Sequence, residues 1–104
     1  MRKLSLADVA TYSKGVVDST FAQLLVHSVS TDSRNIKEGD LFIALKGESF
    51  DGHDFIQGAL SDGAVAVMVE ENSDVNVNSG SPVILVRDTL NGLQEFAKNY
   101  RESL

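Results

Sequence analysis

Three stretches of this chain are apolar without a break: Leu41-Phe42-Ile43-Ala44-Leu45, Ala64 to Val69 and Pro82 to Val86. Continuous apolar runs of this length, bounded by turn residues, are expected of strands covered on both faces. A fourth β-prone stretch, Leu24 to Val29, is interrupted by polar His27 and Ser28 and reads as a single half-buried strand. Between the strands the period changes to that of helices. Leu6, Val9 and Ala10 share one face behind the capping box Ser5-Leu6-Ala7-Asp8, and Lys14-Gly15 supplies the stop. A second helix starts near His53, with Asp51 as N-cap and Asp54 as its capping-box partner. Its apolar face is Phe55, Ile56, Ala59 and Leu60, and Asp62-Gly63 ends it. A third starts at Asp88-Thr89 and carries the stripe Leu90, Leu93, Phe96, Ala97 and Tyr100. Helices alternating with short apolar strands predict an α/β fold, a small sandwich with a largely parallel or mixed sheet and flanking helices. Thr31 to Asn35, Lys46 to Gly52 and Glu70 to Ser81 read as polar loops.

Composition narrows the function classes. A length of 104 residues fits a single domain spanning 1–104, and 42% hydrophobic residues supply a modest core. The net charge of -6 disfavours nucleic acid as a partner, and no basic run interleaved with aromatics offsets it. The absence of cysteine removes disulfides, thiolate zinc sites and cysteine nucleophiles, and fits a cytoplasmic protein. No apolar stretch follows Arg2 and Lys3 as in a signal peptide, and Ala64 to Val69 is far too short to span a membrane.

The residues that carry chemistry in other proteins do not cluster. His27 and His53 lack metal-ligand spacing and read as a strand residue and an early helix residue. Neither a dinucleotide glycine motif nor a Walker phosphate loop is present, and no serine lies in a nucleophile elbow. Asp51 and Asp54 suit capping better than acid–base work. What remains is the pair of loops at 31–35 and 46–52, each at the end of an apolar strand, where α/β sheets bind small ligands. They offer hydroxyls, backbone amides and, in Phe50, a stacking surface. From these residues alone an equally good reading is an Asx turn at Asp32-Ser33 and a Phe50 tucked into the core.

Three segments carry a resemblance: Ser30-Thr31-Asp32-Ser33-Arg34, then Gly39-Asp40-Leu41-Phe42-Ile43-Ala44-Leu45-Lys46-Gly47, then Phe50-Asp51-Gly52-His53-Asp54-Phe55. In order and spacing they are similar to the first domain of the Mur ligases. Gly63-Ala64-Val65-Ala66 and Val86-Arg87-Asp88-Thr89 also fit, so the similarity covers nearly the whole chain. The resemblance implies a three-part enzyme of peptidoglycan synthesis, with a first domain for the UDP sugar, a central ATPase domain and a C-terminal domain. The segment after Lys46-Gly47-Glu48 looks most like the type that adds D-alanyl-D-alanine, ahead of the type that adds lysine or diaminopimelate.

In such enzymes ATP, with Mg2+, phosphorylates a carboxylate of the UDP-N-acetylmuramoyl peptide, and the incoming amine displaces the phosphate. By this resemblance the phosphate loop would follow Leu104. The chain alone would be inactive, with no catalytic residue, metal or cofactor of its own. The family's uridine-contacting positions fall on Thr31 and Ser33 and on Glu48, Ser49 and Phe50, with contacts at Glu48 to Phe50 made through backbone. Asp32 and Arg34 would shape their loop. From Ser30 to Phe50, Arg34, Lys37 and Lys46 face Asp32, Glu38, Asp40 and Glu48, which is no anion trap. The expected grip is therefore on uridine, with the diphosphate neutralised partly by the central domain. A stand-alone UDP-sugar enzyme and a non-catalytic protein-interaction domain are the rival readings; turnover by the chain itself, or a protein partner covering the two loops, would mark them.

Overall fold

A computed structural model describes residues 2–73 and 80–104. In chain order the elements are β1 (Leu4–Ser5), α1 (Leu6–Ser13), β2 (Val16–Val17), β3 (Leu25–Val26), β4 (Ser28–Ser30) and β5 (Asp40–Ile43). They continue with α2 (Ile56–Ser61), β6 (Ala66–Glu70), β7 (Val83–Val86) and α3 (Thr89–Glu102). A five-stranded mixed sheet runs β2-β7-β6-β5-β4. Its four strands from β4 to β7 are parallel, and β2 closes the β7 edge antiparallel. The expected α/β sandwich is present.

The continuous apolar runs have a direct cause. Successive side chains of a strand point to opposite faces, and both faces of β5 and β6 are covered. Leu41 and Ile43 of β5 join Ala66, Met68, Ile84 and Val86 against Leu6, Val9 and Ala10 of α1 and Phe96 of α3. Phe42 and Ala44 join Val67 and Val69 against Ile56 and Ala59 of α2. The helices start where their caps allow: Asp8 N–H donates to Ser5 Oγ at 3.1 Å, and Asn91 N–H to the Asp88 carboxylate at 2.9 Å.

Several expectations need correction. The single strand over Leu24 to Val29 is two. β3 pairs with β1 in a separate two-stranded ribbon, and β4 pairs with β5; the chain changes partner at His27, whose N–H bonds the Gly39 carbonyl at 2.9 Å. In β7, Leu85 is exposed, because the core under the six-residue α2 takes in only the half-buried Val83 from that strand. On α3, Leu90 and Ala97 face outward. The buried line is Thr89, Gly92 and Phe96, since the first turns of the helix lie close to the sheet. A Cβ on Gly92 would stand 3.2 Å from Met68 Sδ and 3.3 Å from Val86 Cγ1. The middle of the expected 70–81 loop, residues 74–79, lies outside the described residues. No helix among the described residues is long and apolar enough to cross a membrane.

Candidate functional site

Because β4 and β5 are parallel neighbours, the loops that leave their carboxyl ends lie side by side. The first, after Ser30, is organised by Asp32. Its carboxylate accepts from Arg34 N–H at 2.9 Å, from Arg34 Nε at 3.0 Å and from Asn35 Nδ2 at 3.0 Å, and it caps a 3-10 turn over Ser33–Asn35. The Arg34 side-chain hydrogen bond, then the Arg34 backbone N–H, hold the Asp32 carboxyl at about 2. The same pairing raises the Arg34 guanidinium above its ordinary value. Ser30 Oγ accepts from Asp32 N–H at 3.2 Å. Thr31 and Ser33 take part in none of these bonds, so the Asx turn holds the loop while their hydroxyls stay available.

The second loop folds into a tight hook. Gly47 N–H donates to the Phe50 carbonyl at 2.6 Å, Gly52 N–H to the Leu45 carbonyl at 2.7 Å, and Lys46 bridges to Asp51. Gly52 is needed for this closure, because a Cβ there would stand 2.9 Å from both N and O of Leu45. Asp51 caps the 3-10 turn Gly52–Phe55 by accepting His53 N–H at 3.0 Å, and its Oδ1 lies 2.6 Å from His53 Nδ1. Burial pushes the Asp51 carboxyl up; the backbone and side-chain hydrogen bonds of His53, with the nearby charge of Lys46, outweigh it and leave the carboxyl below its ordinary value.

Phe50 does not enter the core. It is 48% exposed and stacks on Phe55, ring centroids 5.3 Å apart at 17°. Phe55, assigned from sequence to the buried face of the second helix, is 42% exposed. The signal against that assignment was in the spacing: Ile56, Ala59 and Leu60 already complete an i, i+3, i+4 stripe, and Phe55 lies about 100° off its leading residue. The two rings form a wall between two clefts. On one side Thr31, Asp32, Ser33 and Arg34 complete a cleft of about 450 Å³. On the other, Lys46, Gly47, Glu48, Ser49, Asp51 and Asp54 line one of about 360 Å³. Of the five residues expected from sequence, Thr31, Ser33 and Phe50 therefore share a cleft, while Glu48 and Ser49 lie behind the aromatic wall.

The first cleft combines hydroxyls with an exposed aromatic face, which suits a flat, polar-edged ring. Its one cation, Arg34, is engaged by Asp32. The second cleft carries three carboxylates, Glu48, Asp51 and Asp54, and against them stands only Lys46. Neither is an anion trap. No group of three or more metal-ligating side chains occurs among the described residues.

Comparison with known proteins gives a consistent picture. Residues 25–101 match the family described as "Mur ligase family, catalytic domain". The chain is 40% identical over 105 aligned positions to the UDP-N-acetylmuramoyl-tripeptide--D-alanyl-D-alanine ligase of Bacillus subtilis, covering 100% of this chain and 23% of that enzyme. It is 41% identical over 75 positions to the UDP-N-acetylmuramoyl-L-alanyl-D-glutamate--2,6-diaminopimelate ligase of Halalkalibacterium halodurans, covering 72% of this chain and 15% of that enzyme. A crystal structure of MurF from Acinetobacter baumannii superimposes with a TM-score of 0.84 at 25% identity, over 99% of this chain and 22% of that one. The chain thus spans less than a quarter of the length of these relatives.

Proposed function

Since the chain belongs to the Mur ligase family, we propose that it is the UDP-substrate-binding domain of an ATP-dependent ligase that joins D-alanyl-D-alanine to a UDP-N-acetylmuramoyl tripeptide. The observation that carries the reading is the cleft in which Thr31, Ser33 and Phe50 meet at the carboxyl ends of β4 and β5, in a chain similar throughout to a ligase of that name. Uracil presents one N–H and two carbonyls. The Thr31 and Ser33 hydroxyls donate or accept as each edge requires, and the Phe50 ring covers one face. Glu48 and Ser49 contribute backbone groups from the far side of the wall. With Arg34 held by Asp32, the diphosphate is neutralised partly by the central domain of the parent enzyme, outside this chain. ATP and Mg2+ act there too, since the sequence has no phosphate loop. The setting is the cytoplasm.

The test is binding and turnover by the 104-residue chain. UDP should bind weakly, because one wall recovers little of the cost of association, and CDP more weakly still. ATP should be neither hydrolysed nor used for ligation. ATPase activity that is lost when Lys46 is replaced would overturn the domain reading. The diaminopimelate-adding type is the second reading, favoured by the 41% identity to the Halalkalibacterium enzyme. Ligation by the parent enzyme of D-alanyl-D-alanine to the tripeptide, against a diamino acid to the dipeptide, separates the two.

A further inference from the structure

His53 is 6% exposed, and both ring nitrogens are engaged. Nε2 lies 3.1 Å from the backbone N of Glu70, at the end of β6, and Nδ1 lies 2.6 Å from the Asp51 carboxylate. A backbone N–H only donates, so Nε2 must be bare. The proton of the neutral ring is then on Nδ1, pointing at Asp51. One side chain thus ties the hook that carries Glu48, Ser49 and Phe50 to the central strand of the sheet. The tie stands at the base of the aromatic wall: Asp51 is the last residue of the hook, bridged to Lys46, and Phe55, which stacks on Phe50, lies two residues past His53. The charged groups around the ring are Asp51, with Lys46 acting on it; β6 offers the ring the backbone of Glu70.

We propose that His53 is a positioning residue of the nucleotide site. Through its Nδ1-protonated form it fixes the Lys46–Asp51 hook against β6, and so sets where Phe50 stands. The proposal rests on the reading of the two loops as the UDP site. It asks of His53 something a filler of space would not supply, namely an acceptor at the Nε2 position facing the Glu70 N–H.

Three variants of the 104-residue chain separate these roles. In His53→Gln the side-chain oxygen reaches the Nε2 position and still accepts from Glu70. In His53→Asn the amide mimics Nδ1 and leaves the Glu70 N–H without an acceptor. His53→Ala removes both. At a temperature where all are folded, the Asn and Ala variants should bind UDP at least about fivefold more weakly, and Gln within about twofold of the parent, the scale of one hydrogen bond. The amides of residues 47–50 should show lowered heteronuclear NOE values in the Asn and Ala variants only. A lower melting temperature with UDP affinity and NOE values unchanged would overturn the proposal and leave the UDP reading standing. A parent chain that does not bind UDP at these loops would bring down both. Should the variants not fold, the imidazole 15N shifts of the parent decide: a proton on Nδ1 with Nε2 bare supports the tie, and a proton on Nε2 refutes it.

Discussion

At the amino-terminal end of the parallel strands, Gly39 N–H bonds the Gly63 carbonyl at 3.1 Å, Val65 N–H bonds the Asp40 carbonyl at 2.8 Å, and the buried Asp40 carboxylate accepts from Ser28 Oγ and from Lys37 N–H. At the carboxyl-terminal end, Asp32 and Asp51 cap their turns from half-exposed positions, and two stacked phenylalanines face solvent. Both ends are made of short turns. At the first, backbone groups and the Asp40 carboxylate are consumed in holding strand starts together, and His27 and Glu38 line the cleft beside them without a phenylalanine face. At the second, carboxylates organise the backbone and leave hydroxyls and ring faces over. Cavity size does not follow this difference. The cleft at the first end, beside His27, Gly39 and Gly63, is about 520 Å³, larger than either cleft at the other. Side-chain chemistry rather than volume distinguishes the candidate site.

The contrast can be broken by substitutions along one strand and its loop. Phe42 on β5 is fully buried at 0% exposure, and Phe42→Ala should cost roughly 3–5 kcal/mol in urea unfolding. A loss below about 1 kcal/mol would put the side chain at the surface and undo the strand register. Phe50→Ala, on the loop that follows, should change stability by no more than about 0.5 kcal/mol yet weaken UDP binding by about 1 kcal/mol, roughly fivefold. A stability loss like that of Phe42→Ala would return Phe50 to the core. Ser33→Ala should likewise spare the fold and weaken UDP binding by about 0.5–1.5 kcal/mol, up to roughly tenfold; unchanged affinity would remove Ser33 from the site.

The smallest effect is a pH dependence of the first loop. The Asp32 carboxyl is held at about 2, chiefly by the Arg34 side chain, against about 3.9 in an unfolded chain. A folded value below the unfolded one means that the stabilisation is complete above about pH 4 and is lost as pH falls through the folded value near 2. The amide resonances of Arg34 and Asn35 should titrate with that low midpoint. A midpoint near 4 would show that Asp32 does not organise the turn.

How much of this was legible in the sequence depends on whether the governing contact was local. The caps at Ser5 and Asp88, and the stops at Lys14 and Asp62, are local and were read correctly; Asp51 does cap, but it caps a 3-10 turn over Gly52–Phe55, and the α-helix starts only at Ile56, with no capping-box bond from Asp54. The apolar runs of β5 and β6 were legible because two covered faces leave no room for alternation, whereas the run of β7 hid the exposed side of Leu85. The split of the Leu24 to Val29 segment was not, since it depends on which distant strand each half meets, Leu4–Ser5 or Asp40–Ile43. The exposure of Leu90 and Ala97 was missed for a related reason: Thr89 and Gly92 make the helix–sheet contact, and small residues do not announce a buried face. At the site, the residue types of Thr31, Ser33 and Phe50 pointed to ligand binding only as strongly as to an Asx turn and a core aromatic. The structure contains the turn and not the core aromatic. The exposure of Phe55 was readable from its spacing, but its stacking on Phe50 and the second bond of His53 stayed out of reach, because each needs a partner fixed by tertiary packing, Phe50 for one and Glu70 for the other.

Which end of the sheet meets the nucleotide is read directly by an NMR titration of the 104-residue chain with UDP. Amide shifts should concentrate at residues 31–34 and 46–52 and extend to Phe55, while residues 37–39, 63–65 and α3 stay silent. Shifts gathered instead around Gly39 and Gly63, or along α3, would contradict the assignment of the site, whatever the family.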